Sequence, residues 1–137
     1  MDHKALIQKA VEILKCQSET EDGSDFILEL ELEEDRNQIV YLWLDEETEL
    51  DHADTKSYLF LEADVTGYEE GVDLAGLLRE ASDFVLCRLY IDEEEDDNIA
   101  VQAALPLNGL TPQMLAAAIW ETATEADRLE DLLEEEE

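Results

Sequence analysis

Phe26–Glu33 reads FILELELE and, after a turn through Glu34–Asn37, Ile39–Leu44 reads IVYLWL. These two stretches decide the fold. In the first, Phe26, Leu28, Leu30 and Leu32 alternate with Glu29, Glu31 and Glu33. A period of two is what an extended strand turns into one buried and one wet face. In the second, both alternating sets are apolar: Ile39, Tyr41 and Trp43 on one side, Val40, Leu42 and Leu44 on the other. A strand like that is central, covered on both sides, or part of a binding surface.

Working outward, Asp2–Gln17 carries Leu6, Ile7, Ala10, Val11 and Leu14 at helical spacing, with Asp2 able to cap. Ser18–Asp25 breaks that pattern with polar residues and Gly23. Beyond the IVYLWL strand, Asp45–Lys56 is an acidic loop, and Ser57–Val65 reads as a third strand ending at Gly67. A short helix is predicted between Asp73 and Ser82, capped by Asp73, with Leu74, Leu77 and Leu78 facing inward and Gly76 limiting its length. Phe84–Ile91 is predicted as a fourth strand with sets Phe84, Leu86, Arg88, Tyr90 and Val85, Cys87, Leu89, Ile91. The acidic loop Asp92–Asn98 joins it to a fifth strand, Ile99–Leu105. Thr111 and Pro112 then supply a cap and a first helical residue. The last helix reaches about Leu133, with Leu115, Ile119, Thr122, Ala126, Leu129 and Leu133 along one face. The order α-β-β-β-α-β-β-α predicts an α+β fold: an antiparallel five-stranded sheet with helices packed mainly on one face. One domain is expected over residues 1–133, followed by an acidic tail at 134–137.

Composition narrows the function. The 137 residues hold 8 Lys and Arg against 39 Asp and Glu, a net charge of −31. Such a chain repels phosphate backbones and anionic lipid, which argues against nucleic acid and membrane as partners. It attracts basic protein segments. Hydrophobic residues make up 45%, too many for a disordered acidic tail, so a core is expected with the acid on its surface. No N-terminal segment has the pattern of a signal peptide, and no apolar run approaches the roughly 20 residues of a membrane span. A cytoplasmic location is expected. Cys16 and Cys87 lie outside any CxxC spacing and are read as free thiols, Cys87 as a small buried one. Salt adaptation would also produce such a surface.

The final third carries a resemblance. The strand IAVQAALPL, the turn NGLT and a long helix with Ala126-Asp127 well inside it are similar to a passage of YbjN-type proteins. Together with the element order, this resembles the type III secretion chaperone-like superfamily, in which YbjN-type proteins stand beside the class I secretion chaperones. The resemblance implies a homodimer that binds an extended segment of another protein along apolar surfaces.

The candidate chemistry points the same way. His3 and His52 are isolated, and no GxSxG, phosphate loop, HExxH or CxxC occurs. Asp92–Asp97 lacks the Gly and the ligand spacing of a calcium loop. Acids around His52 suit a solvated loop, as Glu29, Glu31 and Glu33 suit a wet strand face. No catalytic residue, metal or cofactor is assigned. The doubly apolar strands either close within one chain or form a dimer interface or partner groove, and the second reading is preferred. The residues expected there are Ile39, Tyr41, Trp43, Leu77, Phe84, Leu86 and Tyr90. The expected function is a non-catalytic, chaperone- or adaptor-like module that binds a protein partner with basic segments. The alternative is an acidic mimic that sequesters a nucleic-acid-binding protein.

Overall fold

A computed structural model describes residues 2–20, 25–33, 36–46, 57–67 and 72–135. Helix α1 (His3–Leu14) opens the chain, its N-terminus capped by the Asp2 carboxylate, which accepts from the Ala5 N–H at 2.8 Å. Strands β1 (Gln17–Thr20), β2 (Phe26–Glu33), β3 (Arg36–Asp45) and β4 (Tyr58–Gly67) follow. Helix α2 (Leu74–Glu80) runs into a 3₁₀ turn at Ala81–Asp83. Strands β5 (Arg88–Asp92) and β6 (Asn98–Pro106) form a hairpin, and α3 (Pro112–Glu135) closes the chain. The result is an α+β fold with one six-stranded sheet, ordered β1-β2-β3-β4-β6-β5 and antiparallel throughout.

The sheet has six strands rather than the expected five because Gln17–Thr20 pairs with Phe26–Glu29. All four of its residues are exposed, so backbone bonds hold this edge strand without any apolar alternation to announce it. To reach that edge, α1 stops at Leu14 instead of continuing to Gln17. Lys15 turns the chain in a left-handed conformation, φ 56°.

The fourth predicted strand is also corrected. Only Arg88–Asp92 pairs with β6, while Phe84–Cys87 lies outside the sheet. β5 is an edge strand, and β6 takes the interior position between β4 and β5. The sequence of β6 explains this. Ala100 and Gln102 are buried on one face of the strand, Ile99, Val101, Ala103 and Leu105 on the other, and small residues let both neighbours come close. Asp96 and Asp97 both take positive φ (57° and 58°) to turn β5 into β6, a conformation aspartate tolerates better than most residues.

The core lies between one face of the sheet and α1 and α3. Leu28 and Leu30 of β2, Val40 and Leu42 of β3, Leu59, Leu61 and Ala63 of β4, and alternate residues of β6 form its floor. Leu6, Ile7 and Ala10 of α1 and Leu115, Ile119, Ala126 and Leu129 of α3 form its roof. Each fully buried leucine contributes about 2 kcal/mol. The alanines at 118, 123 and 126, fully buried, let the 24-residue α3 lie close over the sheet. Thr122 is buried among them, its hydroxyl donating to the Ala118 carbonyl at 2.7 Å. At the far end of α3, Arg36 reaches from the start of β3 to Asp127 and Asp131, at 3.0 and 3.4 Å. Most of the acidic loop predicted over Asp45–Lys56, His52 included, falls outside the described residues. No helix among the described residues is long and apolar enough to cross a membrane.

Candidate functional site

With α1 and α3 on one face, the opposite face of the sheet carries the second alternating set of every strand. Ile27 of β2, Ile39, Tyr41 and Trp43 of β3, Phe60 of β4 and Tyr90 of β5 share it, as the register fixes. Ile39 is 42% and Tyr41 37% exposed, while Trp43 is half-buried. Trp43 and Phe60 are cross-strand partners, and their rings stack with centroids 5.5 Å apart and planes 7° from parallel. Such a pair is worth about 1 kcal/mol beyond its burial and fixes the indole in one orientation.

Polar groups edge this aromatic strip and are ordered. Across β5, β6 and β4, Arg88 donates to the Gln102 carbonyl oxygen, and the Gln102 amide donates onward to Glu62 at 3.4 Å. One step along the strands, Asn98 donates to Asp64 at 2.7 Å. Asp92 turns its carboxylate to the Glu94 N–H at 3.0 Å. Between these acids and the rings of Tyr41 and Trp43 lies an open concavity of about 620 Å³. Its electrostatics are one-sided. Burial pushes the Tyr90 phenol above its ordinary pKa, and the charges of Asp92, Glu62 and Glu94 add to that, with Arg88 opposing. Among the described residues the strands place a single basic side chain, Arg88, on this face.

A second apolar surface lies on the helix side. Leu78 of α2 is 56%, Val85 81% and Leu86 43% exposed. The segment carrying Val85 and Leu86 is fixed by Glu121 of α3. Its carboxylate accepts from the backbone N–H groups of Val85, Leu86 and Cys87, at 3.2, 2.6 and 2.9 Å. These donors are why Phe84–Cys87 is not part of β5: they are spent on a side chain rather than on a neighbouring strand. Burial works against the Glu121 charge, but the bonds from the Cys87 thiol and from Leu86, Cys87 and Val85 outweigh it and hold the carboxyl below the usual range. The Cys87 thiol is pushed well up, first by burial and then by Glu121, so it stays protonated. Cys16 and Cys87 are both free and half-buried. Arg128 completes the anchorage, joining Glu80 at the end of α2 to Glu125 of α3, at 2.8 and 2.7 Å.

The residues expected at an interface therefore divide. Ile39, Tyr41, Trp43 and Tyr90 lie together on the outer sheet face. Leu86 lies on the helix-side surface, and Phe84 beside it is half-buried against the core. Leu77 is buried, 4% exposed, and the outward leucine of α2 is Leu78. The reading of the sequence missed Glu121. Its signal was an acid between Trp120 and Thr122, the one charged residue of TPQMLAAAIWETAT (Thr111–Thr124). It also passed over Glu62 and Asp64, and weighed Asp92 only as part of the Asp92–Asp97 loop; the register gathers the three beside Trp43.

No protein-family model and no curated protein matches this chain. Solved structures do. The HopA1–SchA chaperone–effector complex matches with a TM-score of 0.61 at 14% identity, over 94% of this chain and 93% of that one. The Yersinia pestis type III secretion chaperone SycH, solved in complex with a stable fragment of YscM2, matches with a TM-score of 0.58 at 16% identity, over 93% and 99%. At these identities the likeness is one of fold, and it runs nearly the whole length of both chains.

Proposed function

We propose that this chain is a non-catalytic, chaperone- or adaptor-like protein that holds an extended segment of a partner protein on the outer face of its sheet. The observation that carries this reading is the partly exposed strip of Ile39, Tyr41 and Trp43, set opposite a face whose central residues are buried under α1 and α3. Aromatic side chains of this kind anchor protein interfaces, and the ordered Trp43–Phe60 stack pays little entropy on binding. The fold shared with chaperones solved in complex with protein partners supports the same reading. Within that fold we assign the chain to the YbjN-type branch, on the passage from IAVQAALPL through NGLT to Ala126-Asp127. Its place of action is the cytoplasm.

The protein works as a homodimer, and the helix-side surface at Leu78, Val85 and Leu86 is the place where two copies meet. Two chains of charge −31 repel, so they can associate only where the contact is apolar. A two-fold contact there would be self-complementary. The test separates the two surfaces. Tagged wild-type protein, recovered from its native cell extract and washed at high salt, should retain a stoichiometric partner identified by mass spectrometry. Trp43→Glu should lose it while remaining dimeric by sedimentation. Leu78→Glu should become monomeric. Retention of the same partner by a folded Trp43→Glu would refute the assignment of the outer face. A set of basic nucleic-acid-binding proteins that leaves in the salt wash would favour the acidic mimic instead.

A further inference from the structure

Apolar anchoring explains the rings of the outer face but not the acids gathered beside them. Tyr41, Trp43, Glu62, Asp64, Asp92 and Asn98 line one concavity, drawn from β3, β4, β5 and β6. Asn98 holds Asp64 and Gln102 holds Glu62, so these carboxylates are set in place before any ligand arrives. Beside them stands the Trp43 ring, held in its stack with Phe60. Carboxylates beside an aromatic ring suit one side chain above others. A guanidinium is planar, pairs with carboxylates through two parallel N–H bonds, and stacks on an indole. An ammonium does only part of this. A second copy of this chain is a poor occupant, because it would bring its own acids against Glu62, Asp64 and Asp92.

We propose that this concavity is an arginine site, which seats an arginine of the partner segment against Trp43 while neighbouring residues of that segment lie along Ile39 and Tyr41. The inference rests on the protein-binding reading above and names what that surface selects. It gives the acidity of the outer face a role in choosing the partner as well as in solubility. Long-range attraction brings basic chains near, and the fixed carboxylates decide which register stays.

The experiment uses the full chain carrying Trp120→Phe, so that Trp43 is the sole indole, at physiological ionic strength. The probe is a short synthetic peptide alternating arginine with leucine, compared with the same peptide carrying citrulline in place of arginine. The arginine peptide should shift Trp43 emission on binding, and the citrulline peptide should not. Glu62→Gln with Asp64→Asn should weaken binding about tenfold, a loss of about 1.4 kcal/mol. Glu12→Gln with Asp83→Asn removes the same charge from exposed sites elsewhere and should change it by about twofold at most. Equal losses in the two double variants would overturn the site, reducing it to bulk charge. A citrulline peptide that binds as well and shifts Trp43 would also overturn it, yet leave the outer face standing as a peptide-binding surface. Peptide binding with no change at Trp43 would overturn both. A Trp43 shift that depends on protein concentration alone would assign the face to a second copy and overturn the arginine site.

Discussion

The two faces of the sheet are built by the same strands, residue by residue in alternation, yet they follow different physics. The inner face is aliphatic, with Leu28, Val40, Leu42, Leu59 and Leu61 fully buried under α1 and α3. The outer face holds most of the sheet's aromatic side chains, Tyr41, Trp43, Phe60 and Tyr90, together with Glu29, Glu31, Glu62, Asp64 and Asp92. Aliphatic side chains suit a dry, close-packed interior. Aromatic rings with a polar edge suit a surface that is wet until a partner covers it. The difference teaches that stability and recognition occupy opposite sides of one layer, so substitutions one residue apart should separate them.

The largest effect should come from neighbours on β3. Leu42→Ala empties a fully buried position and should cost about 3 kcal/mol in urea unfolding. Tyr41→Ala, next along the strand and 37% exposed, should cost about 1 kcal/mol or less while weakening partner binding. Equal losses of stability would erase the distinction between the faces.

Glu121 supplies the next effect, on the helix side. Glu121→Gln keeps the shape but removes the charge that three backbone N–H groups share, and should destabilise by about 2 kcal/mol. It should also speed alkylation of Cys87, whose thiol the carboxylate helps to keep protonated. The pH dependence has a defined sign. The Glu121 carboxyl sits below its ordinary pKa in the folded chain, so its contribution is complete above that ordinary value and is lost as pH falls through the folded one. The gap in stability between wild type and Glu121→Gln should therefore hold near neutrality and close only below the usual carboxylate range. A gap that closed between pH 6 and 8 would contradict the arrangement.

The smallest effect concerns the outer-face acids. They repel one another across β4, β5 and β6, so added salt should raise the free energy of unfolding by about 1 kcal/mol between low and moderate ionic strength. The double variant Glu62→Gln with Asp64→Asn should show a shallower rise. An identical salt response would mean that these acids are screened independently of one another.

The contrast between the faces was legible early. The alternation in Phe26–Glu33 fixed which side of β2 is wet, and the two apolar sets of Ile39–Leu44 marked β3 as a strand with something on both sides. Three features were hidden, each for a physical reason. Gln17–Thr20 is held by backbone bonds alone, and polar residues on an edge leave no hydrophobic pattern to read. Phe84–Cys87 is apolar enough to read as a strand, but the N–H groups of Val85, Leu86 and Cys87 bond to Glu121, 36 residues beyond Val85. The concavity beside Trp43 depends on β6 lying between β4 and β5, and no local pattern fixes that order. Local periodicity reveals which way side chains point; it does not reveal which strands become neighbours.

The central claim is that the outer sheet face carries the partner. The most direct measurement is Trp43 emission in the Trp120→Phe background as the co-purified partner is added to saturation. The account predicts a blue shift that saturates at the stoichiometry of the complex, as the half-buried indole is covered. A stoichiometric, salt-resistant complex that leaves Trp43 emission unchanged would place the partner elsewhere and contradict it.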